Sequence, residues 1–205
     1  LTDLMGVVVQ DTHLKIKGTK LEASGPTLIT HWGLSGPAVL SLSAYGAKVL
    51  YDVDYLYEVQ VNWCAFFNET NALEKIREMR NILGAQTIAL RNPFGLPNRL
   101  WEFLLQTAEI QPKHKWSELQ AKQQNLLAKQ LCSYNFLANG KTTYKDEFVT
   151  AGGVTLAEVT PHSCESKLIP NLFFAGEILD VDGKTGGFNF QHAWTSGWIV
   201  ANSIT

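Results

Sequence analysis

The sequence predicts an α+β fold: a β-rich segment is interrupted by a run of helices and followed by a strand, a glycine-rich loop and a last helix. Three observations carry that expectation. Apolar residues alternate with period two near the start of the chain, the period becomes helical between about Asn68 and Ser133, and a glycine-dense stretch from Gly176 to Gln191 divides an apolar run from a final helical pattern. At 205 residues and 45% hydrophobic, the chain can bury a core without staples. Its charged share of 18% lies below the usual ~25%, which leaves surface to be covered.

From Leu4 to Tyr51 the pattern reads mostly as β and turn. Met5, Val7 and Val9 alternate, as do Leu14 and Ile16, and Gly6, Gly18 and Gly25 punctuate the runs. One short helix is expected inside this region, with Ser35 as its cap, Pro37 in its first turn and Ala38 to Leu42 as its body. Tyr55, Tyr57, Val59, Val61 and Trp63 then alternate with Leu56, Glu58, Gln60 and Asn62, the clearest half-buried strand in the chain. Leu73, Ile76 and Leu83 mark the next helix. Pro97 starts another, carrying Leu100, Trp101, Leu104, Leu105 and Ala108. Ser117 to Gln120 reads as a capping box for a third, with Leu119, Leu126, Leu127 and Leu131 on one side. Extended signals return at Tyr134 to Leu137 and continue to Val159. Asn171 to Gly176 reads as a short buried strand, and residues 189–204 as a helix.

A net charge of −2 with scattered Lys and Arg argues against nucleic acid as a partner, because phosphate binding needs a basic face. No apolar run reaches the ~18 residues of a membrane span, so no membrane is expected. Three cysteines without a CxxC pair fit a reducing, cytoplasmic compartment rather than a disulfide framework or a zinc knuckle. Leu1 opens the chain inside an apolar, strand-like stretch, without Met or a leader pattern, which is expected of a piece of a longer protein.

Several motifs fail on inspection. Gly183-Lys184-Thr185 and Gly140-Lys141-Thr142 lack the earlier glycine of a phosphate-binding loop, since Ile178 and Asn135 stand there. Gly33 to Pro37 has proline where a nucleophile elbow needs glycine. The five histidines show no ligand spacing, so no metal is expected. His162 and Cys164 read as parts of a surface loop rather than a thiol–imidazole pair. Two segments remain. Thr150-Ala151-Gly152-Gly153-Val154 suits either a turn or bulge, or a backbone surface against which a flat ring lies. Gly176 to Gln191 suits either a turn-rich connection with solvated acids, or a loop whose N–H groups and helix N-terminus face an anionic ligand.

Together, the segments His31 to Ala38, Thr150 to Val154 and Gly176 to Gln191, in this order and spacing, resemble the BaiN/RdsA (YhiN-like) family of bacterial flavoproteins over essentially the whole chain. The resemblance implies a barrel-like insert domain (1–67 and 134–145) with an inserted helical subdomain (68–133). It also implies a C-terminal segment (146–205) of a Rossmann-type FAD domain. Its G-x-G-x-x-G fingerprint is absent from this sequence, so an N-terminal FAD-binding half is the implied partner. By position, Gly176, Glu177 and Asp180 match the family's loop near the ribityl–phosphate part of FAD. Gly186, Gly187, Phe188 and Asn189 match the loop and helix start that meet the flavin edge or the pyrophosphate. Thr150, Gly152 and Gly153 match a segment beside the isoalloxazine ring, and Gly33 to Ala38 the substrate side.

The activity implied is an FAD-dependent oxidoreductase moving hydride between flavin and a small-molecule substrate or NAD(P)H. No catalytic acid or base is singled out. The isolated chain is expected to be inactive and to bind FAD weakly or not at all. A non-enzymatic binding module on a vestigial flavoprotein scaffold is the alternative. A flavoprotein acting on RNA ranks lower, on charge.

Overall fold

Period-two burial builds a five-stranded antiparallel sheet. In a computed structural model, residues 2–141 and 149–204 are described. The strands are β1 (Val8–Ile16), β2 (Glu22–Ile29), β3 (Leu34–Ser35), β4 (Leu56–Asn62) and β5 (Tyr134–Asn139), in the order β3-β2-β1-β4-β5. Val9, Leu14 and Ile16 of β1 and Val59 and Val61 of β4 turn inward, as the alternation predicts. The β1–β2 register slips between Val9 and Thr12. There Thr12 donates its hydroxyl to the Gly25 carbonyl at 2.8 Å and lies 2.6 Å from the Thr27 hydroxyl, which satisfies polar groups that the bulge leaves inside.

Helix α1 (Pro37–Asp52) is longer than the sequence suggests. Ala38, Leu42, Gly46 and Leu50 recur every fourth residue and are buried, a stripe that the glycine obscures in a hydropathy reading. Ser35 does not cap it: Ser35 pairs with Leu28 in β3. The chain turns instead through Gly36 at φ +98°, where a Cβ would stand 2.9 Å from the Pro26 carbonyl oxygen, so that position requires glycine.

Between β4 and β5 lie α2 (Glu69–Ile82), α3 (Asn98–Thr107) and α4 (Ala121–Cys132). Asn68 caps α2 by accepting the Asn71 N–H at 2.9 Å. Leu100, Trp101, Leu104 and Leu105 are wholly buried, and the Trp101 indole donates to the Ile88 carbonyl at 3.0 Å. The capping box expected over Ser117 to Gln120 is divided in two. Glu118 accepts the Lys115 N–H at 2.8 Å around the short turn Trp116–Glu118, and Gln123 accepts the Gln120 N–H at 3.1 Å to open α4. Side-chain oxygens of Glu and Gln do this without a hydroxyl cap, and Ser117 lies within the short turn instead of capping it. A bond from Trp63 N–H to the Leu131 carbonyl, 2.8 Å, joins the end of β4 to α4.

The chain divides into two compact units, 1–42 with 56–139, and 43–55 with 140–205. The sheet and α2–α4 belong to the first. In the second, Val159, Cys164 and Leu179 form a small core packed by Val154, Phe174, Val181, Ile199 and Val200. Its one long element from residue 149 onward is α5 (Phe188–Ser203). The strand expected at Asn171 to Gly176 is only a bridge from Phe173 to Glu165, because no neighbouring strand among the described residues extends the pairing. The extended signal beyond Asn139 likewise yields no strand among the described residues. The junction expected at 145/146 lies outside them.

Burial raises both Cys64 and Cys132, the latter to about 12, so both thiols stay protonated. Unfolded thiols ionise near ~8.5, so this stabilisation is complete below that pH and is lost as pH rises towards 12. Urea midpoints measured between pH 8 and 10.5 should therefore fall, and the fall should lessen in Cys132→Ala. Leu104→Ala should cost about 2–5 kcal/mol in the same titration at neutral pH.

Candidate functional site

Residues 150–154 and 176–180 meet through the main chain. The Val154 N–H donates to the Ile178 carbonyl at 2.8 Å, and the Asp180 N–H to the Val154 carbonyl at 3.1 Å. Gly153 makes this approach possible: it has φ +148°, and a Cβ there would lie 2.5 Å from the Ile178 oxygen. The Thr150 N–H donates to a Glu177 carboxylate oxygen at 3.1 Å. Thus Thr150, Gly152 and Gly153 stand beside Gly176, Glu177 and Asp180. The segment 150–154 forms no hairpin. It runs parallel to the later chain at Leu179.

The second half of the site rests on α5. Gly176, at φ +76°, donates its N–H to the Ser196 hydroxyl at 2.9 Å. That hydroxyl donates in turn to the His192 carbonyl at 2.7 Å. Asn189 closes the loop before α5 by accepting the Gly183 N–H at 2.7 Å and donating to the Gly183 carbonyl at 2.9 Å. Gly187 is left-handed at φ +90°, and no side chain caps the helix that follows. The first-turn N–H groups of α5 therefore face the loop with the positive end of the helix dipole behind them. A Cβ on Gly152 or Gly187 would meet nothing within 4 Å, which leaves room against the backbone at both.

The side chains of Glu177, Asp180 and Asn189 are already engaged within the unit. Asp180 pairs with Lys48 at 2.7 Å, which raises the lysine, first through that hydrogen bond and then through charge. Lys48 lies 132 residues from Asp180 in sequence, and no local pattern announces it. Nor does local spacing single out His192, whose Nε2 is buried without a hydrogen-bond partner, although the His192–Ser196 spacing of four fits the helix. What remains available to a ligand is glycine backbone, helix N–H groups and the outer carboxylate oxygens. This arrangement suits a phosphate or a flat ring with acceptor edges better than an acid–base reaction. Phe188, Phe190, Trp194 and Trp198 line α5 as exposed aromatics, each more than half accessible. Among the described residues no group of His, Cys, Asp and Glu could hold a metal, and no helix is long and apolar enough to cross a membrane. Cys164 is buried rather than on a loop surface. The segment Gly33 to Ala38 belongs to the first unit and forms β3 and the start of α1.

Residues 1–149 match the family model described as HI0933-like protein barrel and H2TH domain. The chain belongs to this family. Curated relatives match over most or all of its length. It is 33% identical over 98% of its length to the ribosomal RNA dihydrouridine synthase of Escherichia coli, covering 47% of that protein. The enzyme of the same name from Haemophilus influenzae is 29% identical over 100% of this chain and 48% of its own. The 3-dehydro-bile acid delta(4,6)-reductase of Clostridium scindens is 32% identical over 89% of this chain and 44% of its own. The chain thus spans about half the length of the curated relatives it matches. The five-stranded antiparallel sheet and α2–α4 lie within the matched barrel and H2TH region.

Gly153→Ala should cost about 1–3 kcal/mol, since a methyl group cannot occupy that approach without opening the bridge. Hydrogen exchange should show faster exchange at the Val154 and Asp180 amides, with the β1–β4 amides unchanged.

Proposed function

We propose that this chain is the insert and C-terminal part of an FAD-dependent oxidoreductase that reduces an activated carbon–carbon double bond. The observation that carries the reading is the uncapped start of α5 at Gly187, together with open backbone at Gly152 and Gly187. In this reading an N-terminal half supplies the dinucleotide fingerprint and completes a Rossmann-type domain with residues 146–205. The exposed aromatic stripe of α5 gives that half an apolar surface to cover. FAD, when bound, supplies a hydride from its reduced ring, replenished by NAD(P)H.

Each set of residues has its own task. The N–H groups at Phe188 and Asn189, with Gly186 and Gly187, hold the pyrophosphate or the acceptor edge of the flavin. Negative charge is favoured there by the helix dipole. Gly176, Glu177 and Asp180 face the ribityl chain, where each carboxylate keeps an oxygen free to accept hydroxyl hydrogens. Thr150, Gly152 and Gly153 offer flat backbone to the ring. Asn189 and the Thr150–Glu177 bond act by holding these loops in place.

The substrate we infer is an RNA pyrimidine. Two relatives are named for dihydrouridine in ribosomal RNA, and the third for reduction of a bile acid. Dihydrouridine differs from uridine by two hydrogens across a ring double bond, so both names describe hydride and proton addition to unsaturated carbon. The expectation against nucleic acid rested on a near-zero total and on Lys and Arg scattered along the sequence, neither of which says which cations the fold gathers. The protein is proposed to work in the bacterial cytoplasm.

Visible absorbance tests the cofactor. Flavin bands should accompany the chain only when it is extended upstream through the N-terminal half. Gly187→Val in that extended protein should weaken FAD retention about tenfold or more, because valine resists the left-handed conformation. Flavin in neither protein would favour the binding-module alternative. Mass spectrometry of RNA incubated with extended protein and NADPH should show uridine gaining two hydrogens.

A further inference from the structure

The net charge of −2 is unevenly shared. Residues 68–133 hold nine Lys and Arg against six Glu and no Asp, whereas the rest of the chain holds eight against thirteen acids. Much of the excess gathers where two loops of the first unit are laced together. Ile88 N–H donates to the His114 carbonyl at 2.9 Å, Trp116 N–H to the Gln86 carbonyl at 3.0 Å, and Ser117 N–H to the Gly84 carbonyl at 3.0 Å. Thr87 and Lys115 form the bridge between them. Beneath the loops Trp116 stacks on Trp101 at 6.4 Å, which gives the pair a rigid floor.

Arg80, Arg91, Lys113 and Lys115 stand exposed on these loops and on the end of α2. Both guanidinium groups are held by neutral acceptors, Arg80 by the Ser117 carbonyl at 3.1 Å and Arg91 by the Gln86 side chain at 2.6 Å. Orientation is thereby fixed while the charge is left uncompensated and further N–H groups are left over. The one carboxylate in segments 79–97 and 110–118 is Glu118, which accepts the Lys115 backbone N–H. Glu78 and Glu109 are paired elsewhere, with Lys75 and Lys122. Ile82, the last residue of α2, and Leu90, in the first of the two loops, are exposed at 63% and 80%.

We propose that the laced loops 80–91 and 113–117 form an RNA-docking surface. The four cations contact phosphates, and Ile82 and Leu90 lie against ribose or unstacked bases. The proposal rests on the RNA reading above and assigns it to a face of the first unit, whereas the residues matched to flavin belong to the second.

The test is fluorescence anisotropy of a fluorescein-labelled RNA stem-loop titrated with the whole chain over a range of salt. Binding should weaken steeply with salt. Lys113→Glu with Lys115→Glu should lower affinity by at least about tenfold and reduce the salt slope by about one per lysine. Lys15→Glu with Lys20→Glu, exposed on the β1–β2 hairpin, should change affinity little. Both double variants should melt with the parent chain, since none of the four side chains is buried. Absent binding, or equal loss in the two double variants, overturns the proposal. So does displacement of the RNA by polyglutamate of matched charge, which would mark the face as one for acidic proteins. Flavin absorbance of the upstream-extended protein carrying Lys113→Glu and Lys115→Glu separates the two readings. Retained flavin with lost RNA binding supports both, and lost flavin with retained RNA binding removes the docking face.

Discussion

Backbone polar groups must find partners even where a chain forms almost no regular structure, and that constraint shapes the second unit. From residue 149 to residue 187 there is neither a named strand nor an α-helix to supply them. The main chain is satisfied instead by isolated bridges, by short turns and by side chains that reach back to it. The Val154 exchange with Ile178 and Asp180, the Ser196 contact to Gly176 and the Asn189 clamp on Gly183 are three instances of one solution. Each fixes a loop by its backbone and thereby sets the position of the glycines. The glycines at 153 and 187 follow from this. The first lets two chains touch, and the second lets the chain enter a helix from the left-handed region.

How much of this was legible depended on whether the signal was local. The β1 and β4 alternation, the Pro97 start and the Leu100 to Leu105 stripe were all readable, because burial there follows from period and neighbours. The length of α1 was hidden by Gly46, which occupies a core-facing position without hydropathy. Ser117 drew attention as a cap because hydroxyls usually serve there, whereas Glu118 and Gln123 cap through their longer side chains. Phe173 and Phe174 look like a strand in composition, but a strand is defined by partners, and among the described residues Phe173 forms an isolated bridge to Glu165. At the site, the glycine loop before α5 was visible in the sequence. Lys48 was not, since its pairing with Asp180 spans most of the chain.

Charge offers the same lesson on a larger scale. A total near zero conceals a helical region with an excess of cations and a remainder with an excess of acids. Folding decides whether such cations oppose acids or stand apart from them. In α2 and α4 they oppose them, as Lys75 does Glu78 and Lys122 does Glu109. Around the Thr87–Lys115 bridge the nearby acceptors are carbonyl and amide oxygens instead, so geometry is held without neutralisation. Neither the total nor the spacing of cations along the sequence gives access to that distinction.

The placement of the six tryptophans has an optical consequence. In the first unit Trp63, Trp101 and Trp116 are sealed from solvent and Trp32 is exposed, while both tryptophans of the second unit, Trp194 and Trp198, lie open on α5. Emission from the second unit is therefore red-shifted and open to iodide, whereas most emission from the first is blue and shielded. Any molecule that settles over α5 would change the first kind of light and leave most of the second untouched. The protein thus carries its own reporter, without a label, for whichever surface comes to cover that helix.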